Sequence, residues 1–425
     1  MSGLERQTSI YLGGVSGGRP RVPVDPNRLE AAARRAMSEE AYAYVAAGAG
    51  GETTMRLNRA AFDRWRIVPR MLRDVSERDT SVELFGRRQD SPFMLAPIGV
   101  LELAHADADL AVARAAGAEG VPMIFSSQAS TPMEDCALAM ADGQRWFQLY
   151  WSTSDELVES FVSRAEACGC AAIVVTLDTT ILGWRPRDLD PAFLPFLRGK
   201  GIAQYTSDPV FRRLMAEAGG SDGADAPDPR PTPAALKTLV QLTRRYPDGF
   251  VRTLTSGSGR AAVQRFVQIY SRPSLTWDDL SFLRERTKLP ILLKGVLHPD
   301  DASRALDHGV DGIYVSNHGG RQVDGSIATL EALPGVVDAV SGRAPVLVDS
   351  GPRGGADAFK ALALGAAAVV IGRPYVFGLA AAGEHGVSEV LQNFKAEFDL
   401  TMGLAGCRSV AEIDREAIVH EDSLR

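Results

Sequence analysis

Eight short apolar runs separated by longer stretches constrain what this chain can fold into more than any other feature. They are PFMLAPI (92–98), VPMIFSS (121–127), RWFQLY (145–150), AAIVVTLD (171–178), PILLKG (290–295), DGIYVSN (311–317), PVLVDS (345–350) and AAVVIGR (367–373). Helix-like stretches at 107–118, 155–167, 299–308, 327–340 and 355–364 lie between most of them. Near-continuous runs rich in β-branched residues suit strands buried on both faces, and eight such units predict a closed (β/α)8 TIM barrel, a doubly wound open sheet being the alternative.

The chain has 425 residues, which leaves ample room beyond a barrel of roughly 250. The expected layout is an N-terminal helical arm and cap (1–90), the barrel (91–415) and a C-terminal tail (416–425). Residues 1–30, rich in Gly, Pro and Arg, predict an extended arm lying on the body or on a neighbouring subunit. From 27 to 47 the spacing of Leu29, Ala32, Ala33, Ala36, Ala41 and Tyr44 predicts a helix with Tyr44 near its end. The strand–helix rhythm breaks after strand four, where residues 185–276 form an insertion at the C-terminal mouth and a candidate lid. Its segment 219–233, dense in Gly, Pro, Asp and Ala, predicts mobility. GSGRAA (257–262) matches a loose dinucleotide-binding pattern, but it does not belong to a convincing βαβ unit.

A net charge of −7 argues against nucleic acid as a main partner, since a phosphate backbone calls for a concentrated basic surface. The N-terminal MSGLERQTSIYLGG lacks a signal-peptide core and the apolar runs are too short to span a bilayer, so a cytoplasmic protein without membrane contact is expected. Cys136, Cys168, Cys170 and Cys407 offer one Cys-Gly-Cys pair and no further ligands, which predicts reduced structural thiols and no metal site.

Chemistry concentrates at the strand ends, the face on which barrel enzymes build their sites. In order these ends carry Pro97 with Gly99, Ser126 with Gln128, Gln148 with Tyr150, Thr176 with Asp178, Lys294, Asn317 with His318, Asp349, and Gly372 with Arg373. In SNHGGRQ (316–322) an imidazole able to exchange protons near neutrality stands three residues from a guanidinium able to grip a carboxylate, a pairing suited to deprotonating an acid substrate. Arg185 would clamp the same carboxylate as Arg321, Tyr44 and Tyr150 would add hydroxyls, and Asp178 would orient His318. DSGPRGG (349–355) and IGRP (371–374) predict a phosphate cradle with Arg353 and Arg373 after strands seven and eight. A phosphate there, tethered to a flat ring over the mouth, describes flavin mononucleotide (FMN), with Lys294 at the ring's pyrimidine edge.

On SNHGGRQ, FQLY, LPILLKG, KALALGAAAVVIGRP and LTMGLAGCRSV, the chain resembles the FMN-dependent α-hydroxy-acid oxidising family over roughly residues 30 to 415. The resemblance implies His318 as catalytic base, Asp178 as its partner, and Arg321, Arg185, Tyr44 and Tyr150 as substrate ligands. It implies flavin contacts from Pro97, Ile98, Gly99, Ser126, Gln148, Thr176, Lys294, Asp349, Gly351, Arg353, Gly372 and Arg373. IYLGGVSG, ERDTSVELFG, APIGV, LGWRPRDLD and GIAQYTSDPVF are similar to the lactate 2-monooxygenase branch. That branch implies oxidation of a small L-2-hydroxy acid, L-lactate, by O2 to acetate, CO2 and water, in a homotetramer or larger. An oxidase giving the 2-oxo acid and H2O2, or a dehydrogenase using another acceptor, stands as the alternative. Many relatives carry Ala where this chain has Gly99, which implies open space against the flavin. Gln128 stands where glycolate oxidase has Trp.

Overall fold

The barrel strands are buried on both faces, and alternate side chains join two separate apolar clusters, one inside the barrel and one outside it. The computed structural model describes residues 2–218, 232–245, 253–254 and 257–424. Within them β1 (Phe93–Leu95), β2 (Met123–Phe125), β3 (Arg145–Leu149), β4 (Ile173–Thr176), β5 (Ile291–Lys294), β6 (Gly312–Val315), β7 (Val346–Val348) and β8 (Ala368–Ile371) close an all-parallel barrel in sequence order. Met94, Ile124, Trp146, Val174, Leu292, Tyr314, Leu347 and Val370 fill its interior. Their neighbours Phe93, Phe125, Phe147, Ile173, Leu293, Ile313, Val348 and Val369 face the surrounding helices. All eight strands and the five intervening helices fall where the sequence pattern puts them, within a few residues, and the open-sheet alternative is excluded by closure.

A hairpin outside the barrel, Val82–Leu84 paired with Arg87–Gln89, seals the N-terminal end. Leu84 joins the interior cluster and the Phe85 ring lies 5.6 Å from that of Trp146. At the chain's other end, Ile418–His420 pairs antiparallel with Trp65–Ile67, so the last residues are tied to the body.

Two local expectations are corrected. Residues 3–15 are a helix, α1 (Gly3–Val15), rather than an extended arm, because Ser2 and Glu5 form a reciprocal capping box. α1 lies on the long C-terminal helix Arg373–Ala405, where the Gly3 amide donates to Asp399 at 2.7 Å. The stretch 27–47 is two helices, α2 (Pro26–Ala36) and α3 (Glu39–Ala46). Extended Met37 interrupts it and Ser38 caps the second by accepting from the Ala41 amide at 3.3 Å.

Of the segment expected to be mobile, 219–233, residues 219–231 lie outside the described residues, and Pro233 opens the helix Pro233–Arg245. The described part of the insertion has its own aromatic core. Tyr205 meets Phe161, Phe211 and Phe266 edge-on, with centroids 4.8 to 5.6 Å apart. Arg164 fixes this core to the barrel's helix Asp155–Ala167 by donating to the Gln204 carbonyl and to Asp208. GSGRAA lies at the start of the helix Ser258–Ile269, where Gly259 packs on Thr253 and Leu242.

The glycine pair ending DSGPRGG has a packing role. A Cβ on Gly354 would collide with the Glu397 carboxylate, and one on Gly355 with the Phe398 amide of the C-terminal helix. Gly355→Ala is therefore expected to cost about 2–4 kcal/mol even without flavin. Thermal melting of the flavin-free protein checks this, and an unchanged melting temperature would contradict it.

Candidate active site

The turn after β6 is built from left-handed backbone. His318, Gly319 and Gly320 take φ of 58°, 66° and 76°. A Cβ on Gly320 would stand 2.7 Å from the Met55 amide nitrogen, so the helix Thr53–Arg64 approaches there only because position 320 lacks a side chain. His318 has no such freedom, and its conformation costs about 1–2 kcal/mol. The surroundings hold it there: Ser316 Oγ accepts from the His318 amide at 3.1 Å, Ser350 Oγ from the Gly319 amide at 2.9 Å, and Asn317 from the Gly320 amide at 3.0 Å. Asn317 is locked in turn by paired amide bonds to Asn58 at 2.8 Å.

The turn delivers His318 to Asp178, two residues past β4. His318 Nδ1 lies 2.8 Å from Asp178 Oδ1, and Lys294 Nζ, at the end of β5, lies 3.4 Å from Oδ2. Thr179 Oγ1 donates to the same Oδ1 at 3.0 Å. Burial pushes the Asp178 carboxyl up, but Lys294 and His318 outweigh it and hold the group well below the usual carboxylate range. Ionised Asp178 only accepts, so His318 carries its proton on Nδ1 and keeps Nε2 as a lone pair. Burial lowers the His318 pKa below its ordinary 6.5, against the opposing pull of Asp178.

Two arginines meet beside the same turn. Arg185 Nε donates to the Arg321 carbonyl at 2.9 Å and its Nη2 to Gln322 Oε1 at 2.7 Å. Gln322 Nε2 donates in turn to the carbonyls of Asp178 and Ile181, at 2.6 and 3.0 Å. Gln322 thus ties the turn carrying the histidine to the loop carrying Arg185. Arg321 donates to the carbonyls of Tyr44 and Ala47 at the end of α3, and its guanidinium sits 5.0 Å from the centre of the Tyr44 ring. Burial, then the neighbouring Arg185, push Arg321 down to about 10. Burial raises the phenols of Tyr44 and Tyr150, which remain protonated donors at neutral pH.

Arg353 and Arg373 stand where chains after β7 and β8 enter helices. Arg373 donates to the carbonyls of Val45, Ala47 and Gly319, and burial, Arg321 and Arg353 push it down to about 9. Burial and Arg59 lower Arg353 as well. Clustered, buried cations beside the first turns of helices Gly355–Ala363 and Arg373–Ala405 are short of negative charge, the condition a phosphate satisfies.

One cavity joins these parts. Of the residues named from the sequence it is lined by Tyr44, Pro97, Ile98, Gly99, Gln128, Tyr150, Arg185, Lys294, His318, Arg321, Asp349, Gly351, Arg353, Gly372 and Arg373. Ser126, Gln148 and Thr176 are buried at their strand ends and bond one another, Ser126 Oγ to Gln148 Oε1 and Gln148 Nε2 to Thr176 Oγ1, each at 3.0 Å. The open space expected at Gly99 is absent, because an added Cβ would meet Gln128 Cβ at 2.8 Å and its carbonyl at 2.9 Å. Sequence reasoning missed Thr179, Gln322 and the apolar lid wall of Leu182, Leu194, Phe196, Val267 and Tyr270. Thr179 and Gln322 adjoin residues already singled out, whereas nothing in the insertion's irregular sequence signals which side chains face inward.

A parallel barrel whose mouth gathers a histidine–aspartate pair, two paired arginines and a buried cationic cradle defines an α/β-barrel enzyme acting on anions. The sequence matches the FMN-dependent dehydrogenase model over residues 33–420. The chain is 42% identical to the FMN-dependent alpha-hydroxy acid dehydrogenase qulF of Penicillium citrinum, over 97% of this chain and 94% of the relative. It is 41% identical to an L-lactate oxidase of Lysinibacillus sphaericus, over 93% and 92%. A crystal structure of mandelate oxidase with (S)-4-hydroxymandelic acid superposes with a TM-score of 0.76 at 37% identity, over 92% of this chain and 98% of that one. The chain belongs to the FMN-dependent dehydrogenase family and is an FMN-dependent oxidoreductase of α-hydroxy acids.

Because the folded Asp178 pKa lies below its ordinary 3.8, the stability it contributes is complete above that value and is lost as pH falls towards the folded one. Asp178→Asn leaves Lys294 buried without its counter-charge and is expected to cost about 3–5 kcal/mol at pH 7. In melts across pH, the gap between wild type and variant should narrow below pH 3.8. A gap independent of pH would refute the ionised pair.

Proposed function

We propose that this protein oxidises a small L-2-hydroxy acid, L-lactate, with O2, giving acetate, CO2 and water. The observation that carries the reading is the His318–Asp178 contact of 2.8 Å in a cavity also lined by Arg185 and Arg321. Bound FMN supplies the two-electron acceptor. Arg353 and Arg373 would hold its phosphate, the Pro97–Gly99 segment its ring, and Lys294 and Asp349 its polar edge.

Arg185 and Arg321 bind the substrate carboxylate, and the protonated hydroxyls of Tyr44 and Tyr150 donate to its oxygens. This pins the substrate's C2 against His318. Nε2 takes a substrate proton, and the imidazolium that forms is stabilised by Asp178, already bonded to Nδ1. The Asp178–Lys294 contact keeps Asp178 ionised throughout. Leu182, Leu194, Phe196 and Tyr270 close the cavity from the lid side. Retention of the 2-oxo acid beneath them lets hydrogen peroxide decarboxylate it to acetate, CO2 and water. Early release gives the 2-oxo acid and peroxide instead, an oxidase outcome that the similarity to the L-lactate oxidase favours as a second reading.

His318→Gln is expected to slow flavin reduction by about 10³-fold with FMN still bound. The pKa of the wild-type histidine lies below 6.5, so the basic form persists through neutrality. The pseudo-first-order rate of anaerobic bleaching at low L-lactate should be level from pH 7 upward and fall only in the acid range. A rate still rising above pH 7 would exclude His318 as the base. Admitting air after anaerobic mixing, then measuring acetate against peroxide, separates the two outcomes. Flavin left unbleached by L-lactate would rule out that substrate.

A further inference from the structure

Asp188 is a buried carboxylate that no step above employs. It lies in the helical turn Pro186–Leu189, three residues after Arg185. Its Oδ2 stands 4.0 Å from Arg185 Nη1, with the two side chains 9% and 6% exposed. Its Oδ1 has no hydrogen-bond partner among the described residues. Burial raises the Asp188 pKa, while the cations Arg321, Arg185 and Arg187 oppose that shift. Arg187 is itself paired with Glu52 at 3.2 Å, which leaves Arg185 and Arg321 as the cations Asp188 balances.

The charge at the arginine pair gives this position its meaning. Lys294 interacts with both Asp178 and Asp349, away from the pair, and Arg353 and Arg373 would face the cofactor phosphate. Arg185 and Arg321 contribute two positive charges and Asp188 one negative. One positive charge remains, which a single carboxylate neutralises. A second carboxylate on the ligand would meet a site already neutral and an anion behind the arginines, in a buried setting where such terms are large.

We propose that Asp188 is a specificity-determining residue that restricts the site to monoanionic acids and rejects dianions of the same size. It acts through Arg185 and Arg321 and does not line the cavity. The inference rests on the proposed reading of those arginines as the carboxylate site.

The test uses FMN-loaded enzyme and two ligands of the same shape, oxalate and oxamate, which differ by one charge. Each is titrated by its perturbation of the flavin absorbance. In Asp188→Asn the dissociation constant of oxalate should fall about tenfold further than that of oxamate, the effect of one removed charge several ångströms away. Asp188→Glu should keep the wild-type ratio. An oxalate-to-oxamate ratio unchanged in D188N overturns the proposal, because lost packing alone weakens both ligands alike. Should D188N not retain FMN, Asp188→Ser is judged by the same ratio. Arg321→Met separates this from the underlying reading. If that variant binds both ligands as wild type does, the carboxylate site itself is wrongly assigned, and the role of Asp188 falls with it.

Discussion

Burying the Asp178 carboxylate is expensive, and much of the barrel's upper rim is arranged around meeting that expense. An isolated carboxylate in such a place would protonate. Here β5 supplies an ammonium at 3.4 Å and the turn after β6 an imidazole at 2.8 Å. These three groups come from consecutive strands, and the register that pairs Thr176 with Lys294 and Lys294 with Tyr314 sets their height. Barrel closure and the orientation of the histidine are therefore one constraint. With this left-handed backbone at His318 the imidazole reaches past β5 to the loop after β4, and the Asn317–Asn58 amide pair holds the turn.

The cation cluster gathered around the same turn runs on the reverse sign. Arg321, Arg353 and Arg373 spend donors on backbone carbonyls, and burial with mutual repulsion lowers all three. Such a cluster is a standing cost that anions relieve. Cofactor and substrate binding should then couple to stability, since a ligand that binds only the native state stabilises it. Arg321 and Arg373 both donate to the Ala47 carbonyl just past α3, so the helix end and the cation cluster share an anchor.

Much of this was legible from strand-end residues alone. Parallel strands buried on both faces announce themselves by composition, and a barrel places each strand's last polar side chain at the mouth, so His318, Asp178 and Lys294 follow from counting. Two kinds of feature escaped. Ser126, Gln148 and Thr176 satisfy the same rule, but that they bond one another across three adjacent strands depends on barrel register, which the sequence pattern does not carry. The glycines were read for ligand approach, whereas Gly99, Gly351, Gly354 and Gly355 each abut protein atoms. α1 was hidden by a glycine-rich composition that its two-residue capping box overrides. The insertion's inward face stayed illegible because its core is assembled from residues far apart in the chain, Tyr205 meeting Phe161 and Phe266.

The hairpin at the other end of the barrel carries a kinetic consequence. Leu84 and Phe85 stopper the base against Trp146, and the interior above them is filled by side chains. Among the described residues the cavity lies at the opposite end, with Leu194, Phe196 and Tyr270 of the insertion in its wall. A hydroxy acid and its product would both pass these side chains, which couples entry to release. A change in the insertion's packing on Arg164 therefore alters uptake and discharge together.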